Sequence, residues 1–440
     1  LHTLGKDQES LAPLEKAVDL DPNFAMAYAV LGVAESNLGD RSSAEQYLQK
    51  AYDLRDRTSE REKFYIEAHY YDTLTDDMEK AASVFQQWIS VYPRDNVPYD
   101  DLALAYEVLG EYDKALAAAT DARRVDPQDA YAYQNQMAAY AYLGRFDDAK
   151  AVAQDAISQK RDTPAVHWGL MDVGAAQRDS ALLQAQLSWA AGSPNEPAVE
   201  QFEAVYLDSQ GQFKRGDAAY QKSTALAQKY GLLEMRPANL ASQAVDQAEC
   251  GFDASARQKA AAALKEGSNT FVQQTIALTY AFAGDAGQAN KIIDAVGHRY
   301  PSDPILQTQI LPSISALNLL NARKADEAVT ALEPSRKYEL GAPVSGATYL
   351  SIYVRGLAYL QLRDGAKAAA EFQKILDHPG LGAINVLYSL AELNRARACG
   401  LQNNTAQARI DYQNFLAGWK DADPDVPVLI TAKAEYAKLH

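Results

Sequence analysis

Alanines at a fixed interval constrain this chain more than anything else in it: Ala81, Ala115 and Ala149 stand 34 residues apart. Around them a frame repeats. Gly110 and Gly144 lie five residues before Ala115 and Ala149, and Pro93 and Pro127 lie twelve residues past Ala81 and Ala115. A period of this length with a turn glycine and a closing proline predicts a helical hairpin repeated along the chain. Two antiparallel helices approach closely only where one side chain is small. Ala or Gly therefore belongs at the crossing points, as at Gly32 and Ala103 in first helices and at the rung alanines in second helices. The glycine suits a left-handed residue ending the first helix, and it recurs at Gly39, Gly110, Gly144, Gly251 and Gly284.

The fullest unit runs from Asn96 to Pro127, with Tyr99, Leu102, Ala103 and Tyr106, then Ala115, Ala119, Ala122 and the closing Pro127. These residues resemble the tetratricopeptide repeat. The resemblance implies an all-α fold, a right-handed superhelical solenoid of helix-turn-helix repeats. From Ser10 the rungs run Ala44, Ala81, Ala115, Ala149, Ala181, Ala218, Ala256, Ala289, Ala328, Ala368 and Ala408. Their spacings of 34, 37, 34, 34, 32, 37, 38, 33, 39, 40 and 40 lengthen toward the C-terminus. Residues 1–19 read as the tail of a hairpin already under way, with Gly5 five before Ser10, so a longer parent chain is expected. Interruptions rich in Pro, Gly and Ser at 191–197 and 333–346 are candidate hinges. They divide the ladder into 1–192, 198–334 and 347–440, expected to form one elongated, continuous solenoid whose last helix, over 428–439, caps the open seam.

The net charge of −16 and pI of about 4.9 argue against nucleic acid as a partner, because phosphate binding needs a clustered basic surface. The acidity serves solubility or attraction for a basic partner. Cys250 and Cys399 sit late in first helices four repeats apart, and with repeats stacked about 10 Å apart their sulfurs are too distant to bridge. No apolar run reaches the roughly 18 residues that span a bilayer, so no membrane contact is expected of this segment.

No catalytic constellation appears. A Walker-type loop ending in Lys-Ser/Thr, a His-Arg-Asp loop, an Asp-Phe-Gly segment and a nucleophile elbow are all missing from the sequence. His2, His69, His167, His298, His378 and His440 fall singly, with no i, i+4 pair for a metal. Asp421, Asp423 and Asp425 alternate like calcium-loop ligands, but Val426 stands where the glycine is needed and Ala432 where the bidentate glutamate is needed. An acidic turn between helices, with Pro424 and Pro427, is the better reading. No enzyme activity, cofactor or metal is expected.

By the family resemblance, first helices line the concave face. That frame places Lys63, Ile66 and Tyr70 on it in one repeat, then Val97, Asp100, Leu104 and Glu107, then Tyr131, Gln134, Ala138, Ala141 and Tyr142. The candidate partner-binding residues are Tyr70, Asp100, Glu107, Tyr131, Gln134 and Tyr142, a set of aromatics with carboxylates that suits an extended, basic peptide. The Lys, Asn and Arg clamp that chaperone-binding relatives place on a C-terminal carboxylate is absent: Ala29, Val33, Asp100, Leu104, Gln134 and Ala138 hold its places.

Longer strings carry a narrower resemblance: LDPNFAMAYAVLG at 20–32, TSEREKFYIEAHYYD at 58–72, EFQKILDHPG at 371–380 and FLAGWKDADPDVPVL at 415–429. They resemble the C-terminal repeat region of bacterial, especially acidobacterial, eukaryotic-like serine/threonine kinases. A related region follows winged-helix domains in some transcriptional regulators. The resemblance implies a non-catalytic protein- or peptide-binding scaffold or sensor arm, extracytoplasmic if a kinase domain and a membrane span precede it and cytoplasmic otherwise. A structural or self-association module is the alternative.

Overall fold

The computed structural model describes residues 7–38, 41–267, 269–342 and 348–439. Among them 79% are helical, in 24 α-helices with no strand. The expectations for His2, Gly5, Gly39, His440 and residues 343–346 of the second interruption lie outside the described residues.

The hairpin Val97–Val108 and Tyr112–Val125 illustrates how the sequence makes each unit. Gly110 takes φ +75°, which lets the Gly110 amide donate to the Glu107 carbonyl at 3.0 Å and the Glu111 amide to the Tyr106 carbonyl at 2.8 Å. Those bonds satisfy carbonyls that the helix end leaves open and turn the chain back on itself. Five residues on, Ala115 is fully buried at the crossing. The same device recurs without glycine: Asp76, Arg323, Arg363 and Asn403 also take positive φ, five residues before the buried Ala81, Ala328, Ala368 and Ala408. A left-handed non-glycine residue costs roughly 1–2 kcal/mol, so packing overrides local preference at these turns.

The left-handed residue also corrects the ladder. Ala181 and Ala218, expected as rungs, are exposed. Arg178 and Gly211 have positive φ, and five residues beyond them the buried Leu183 and Gly216 hold the crossings. Leu183 fits because the opposite helix contributes Gly174, whose added Cβ would stand 3.0 Å from the leucine side chain. Small and large residues can trade sides of a crossing, and a search for alanine alone loses the phase where they do. Gly32 and Gly356 likewise make room for Leu48 and Phe372, which stand four residues past the buried Ala44 and Ala368.

The chain forms two compact units, residues 1–139 with 300–305 and residues 140–299 with 306–440. In unit 1, Phe85 and Trp88 fill the space between hairpins, a burial worth about 2–3 kcal/mol for each ring. The Arg41 guanidinium lies 2.7 Å from Asp76 and 3.8 Å from Asp303, over the Tyr300 ring. That places residues 300–305 in this unit.

Unit 2 does not run on in one direction, as steady stacking predicts, but curves until its end meets its beginning. Trp419 Nε1 donates to the Ser209 carbonyl at 3.0 Å, and Ser389 Oγ donates to the same carbonyl at 2.8 Å. The Asp423 amide reaches the Gly211 carbonyl at 2.9 Å, and the Val428 amide reaches that of Cys250 at 3.3 Å. The acidic turn thus has a structural task. Asp423 accepts from the Lys214 amide at 2.8 Å, at the start of the helix Phe213–Tyr230, and Asp425 pairs with Lys214 Nζ at 3.0 Å. A carboxylate is favoured at a helix N-terminus, where it meets unbonded amides and the positive end of the dipole. Linear stacking is therefore the wrong ground for judging the distance between Cys250 and Cys399, although both are buried free thiols. The last helix, Pro427–Tyr436, lies against Thr405–Gly418, where the Tyr412 hydroxyl donates to Glu435 at 3.0 Å.

Candidate functional site

Each unit carries a hollow between its helices. In unit 1 it is a groove of about 460 Å³ lined by Ser10, Pro13, Leu14, Met26, Val30, Arg61, Glu62, Tyr65, Trp88 and Val97. Its charges are satisfied internally. Arg61 pairs with Asp95 at 2.6 Å, and Asp95 also accepts from Trp88 Nε1 at 3.1 Å. Glu62 closes a capping box with Ser59 at the start of the helix Glu60–His69. An apolar surface remains for a partner's side chains.

In unit 2 the hollow is a cavity of about 350 Å³. Asp172, Val205, Val245 and Leu278 all line it, and each stands eleven residues before its crossing residue, Leu183, Gly216, Ala256 or Ala289. Four consecutive first helices thus turn the same position inward, and Leu104 and Ala138 hold that position in unit 1. Tyr142, Ser242, Asp246, Glu249, Phe271 and Gln274 add to the walls, and the segment Gly380–Asn385 closes one side. There the backbone of Gly380 lies so near the Ala141 carbonyl that no Cβ fits.

The cavity's charge is one-sided: among the described residues Asp172, Asp246 and Glu249 line it, and no Lys, Arg or His does. Burial pushes Asp172 up to about 7. It pushes Asp246 up to about 8, with the Tyr220 hydroxyl drawing it partly back although neither group reaches hydrogen-bond geometry, and it lifts Glu249 well above the carboxylate range with help from Asp246. Asp172 has protein around it yet is accessible, because what it faces is the cavity. Asp246 Oδ2 and Glu249 Oε2 have no hydrogen-bond partner.

The residues expected on a concave face meet different fates. Tyr131 is exposed and Gln134 half-buried. Tyr70 opens a π-helical turn, Tyr70–Leu74, and its ring stacks on Tyr52 at 3.8 Å. Tyr142 falls in unit 2, in the cavity wall. Asp100 and Glu107 are buried, 7% and 3% exposed. Burial and a hydrogen bond to Asp129 push Asp100 up to about 10, and burial alone lifts Glu107 well above its usual range. Ile66 and Ala141 are core residues, and Lys63 pairs with Asp56 at 2.7 Å. Met26, Val30 and Tyr65 of the groove and the three cavity acids went unrecognised in the sequence. Counting eleven back from the crossings would have found Asp172, but only with Leu183 as its rung.

His69 and His167 have structural partners. Burial opposes protonation of His69, but Asp72 at 3.1 Å and Asp101 outweigh it and hold the imidazole up to about 9. His167 stacks on Trp189 at 3.7 Å between Gln186 and Asp162. Among the described residues no cluster of His, Cys, Asp and Glu is arranged to hold a metal, and no helix is long and apolar enough to cross a membrane.

Comparison with known proteins agrees on the repeat. No curated protein matches the sequence. Among solved structures, yeast Tom70 is similar over 90% of this chain and 96% of its own at 11% identity, with a TM-score of 0.34. The Cut9–Hcn1 hetero-tetramer of the APC/C is similar over 97% and 92% at 13% identity, with a TM-score of 0.34. The TPR domain of P58(IPK) is similar over 87% and 98% at 14% identity, with a TM-score of 0.25. Superpositions this loose say nothing about ligands. Residues 25–58, which hold Met26 and Val30 of the groove, match the tetratricopeptide repeat itself.

Proposed function

We propose that this chain is a non-catalytic scaffold that binds a protein or peptide partner through the groove of unit 1. The observation carrying this reading is the groove itself: Pro13, Leu14, Met26, Val30, Tyr65 and Val97 present an apolar surface whose neighbouring charges are already paired. Such a surface gains affinity by taking a few apolar anchors out of water. The exposed Tyr131 and the half-buried Tyr70 extend the recognition surface in the same unit. Affinity capture with quantitative mass spectrometry tests it, comparing the wild type with Val30→Glu and with the triple variant Tyr70→Ala, Tyr131→Ala, Tyr142→Ala. Proteins that are lost from the Val30→Glu capture, with the helical circular dichroism intact, are the expected result. An unchanged set removes the groove from consideration, and a chain that only dimerises in light scattering favours self-association.

In the organism, this scaffold is the C-terminal arm of a bacterial serine/threonine kinase, held on the extracytoplasmic side of the inner membrane. The strings at 20–32, 58–72, 371–380 and 415–429 support that reading. Sequencing the gene upstream of the Leu1 codon tests it: kinase segments followed by one membrane span are expected, and a winged-helix domain there overturns it.

A further inference from the structure

The unit 2 cavity is a built site without its counter-charge. Asp246 is 6% exposed and lines the cavity, while its Oδ2, sealed in the wall, has no hydrogen-bond partner. One helical turn away on the same face, Glu249 leaves Oε2 unpartnered as well. Asp172 joins them from the helix Pro164–Gln177. Elsewhere in the unit some buried carboxylates have cationic partners, although Asp208, outside the cavity lining, also leaves Oδ1 unpartnered. Arg395 holds Asp411 at 2.6 Å, and Arg355, itself fully buried, holds Glu371 at 2.8 Å. A buried carboxylate with no partner costs free energy that an incoming cation returns as binding.

We propose that this cavity binds a small aliphatic polyamine, with ammonium groups against Asp172, Asp246 and Glu249 and methylene runs against Val205, Val245 and Leu278. The volume of about 350 Å³ falls within the roughly 300–1,000 Å³ of small-molecule sites. Carboxylates spaced by apolar side chains match ammonium groups spaced by methylenes. Gly380–Asn385 closes one side, which favours a slender diffusing ligand over a chain with backbone on both sides. The inference is independent of partner binding in unit 1.

Isothermal titration of the full chain with spermidine in 0.15 M salt tests it. One saturable site per chain is expected, with affinity at least fivefold weaker in Asp246→Asn and in Asp172→Asn and no binding once Leu278→Trp fills the space. Asp147→Asn, in which a carboxylate 92% exposed is neutralised, should leave affinity unchanged. Asp172 faces the cavity, so its variant keeps the fold and stays informative if a buried substitution does not. No saturable binding, or equal weakening by Asp147→Asn, overturns the proposal, the latter by assigning the heat to diffuse attraction toward the −16 charge. A peptide Gly-Ser-Lys-Leu-Lys-Ser-Gly that binds more tightly than spermidine and is lost with Asp246→Asn also overturns it, assigning the site to a lysine side chain.

Discussion

The groove of unit 1 and the cavity of unit 2 lie between helices of one repeat fold, yet they offer opposite things to a ligand. In the groove, Arg61 finds Asp95 and Glu62 caps its own helix, so what remains is apolar area. In the cavity, Asp172, Asp246 and Glu249 line the wall together with apolar side chains, with no cation among the described lining residues. A repeat fold conserves the crossing geometry and leaves the inward positions open, so ligand chemistry is set by how the charges there are matched. Unit 2 adds closure, which turns an open face into a hollow with walls on several sides.

Breaking that closure should give the largest effect. Gly211 has φ +74° and lies under Trp419, where an added Cβ would stand 2.7 Å from the ring. Gly211→Val combines backbone strain with overpacking and should destabilise unit 2 by about 3 kcal/mol or more. Hydrogen exchange should accelerate over 205–215 and 415–428 and stay slow over 97–125. Equal loss in both regions would mean that the two units unfold together.

A smaller effect separates the buried acids of the two units. Asp100 in unit 1 has its pKa raised to about 10 among Asp129, Asp101 and Asp126, and Asp246 in unit 2 has its raised to about 8. Each binds its proton more tightly folded than unfolded. Its contribution is therefore fully present below about pH 4 and is lost as pH rises through the folded value. Asp100→Asn should gain on the wild type progressively up to about pH 10, and Asp246→Asn only up to about pH 8, so the gain of Asp100→Asn keeps growing where that of Asp246→Asn has levelled off. Melting temperatures at pH 5, 7 and 9 check this. Coincident profiles would erase the distinction between an acid sealed in a wall and one lining a hollow.

The smallest effect is expected at Tyr131, exposed on unit 1. Tyr131→Ala should change stability by less than about 0.5 kcal/mol in denaturant titration, as substitutions at exposed positions do. A larger loss would make it a packing residue rather than part of the recognition surface.

Much of the hairpin was legible in advance. Gly110, Gly144, Gly251 and Gly284 are left-handed, and the alanines five residues after them are buried. Arg178, Arg323 and Arg363 were illegible as turn residues, because nothing in an arginine announces positive φ. The site was read less well. Asp100 and Glu107 occupy face positions by spacing alone, but both are buried and line neither the groove nor the cavity.

The sequence by itself determined the helical hairpin, its period and its crossing points, because a left-handed turn and a small side chain five residues on are local requirements. Only the tertiary structure decided that Trp419 meets Ser209, that Gly380 touches Ala141, and that Asp172 and Asp246 share a hollow. Those contacts depend on curvature accumulated over many helix crossings, each of which scatters by about 15–20°. No short stretch of residues encodes that sum.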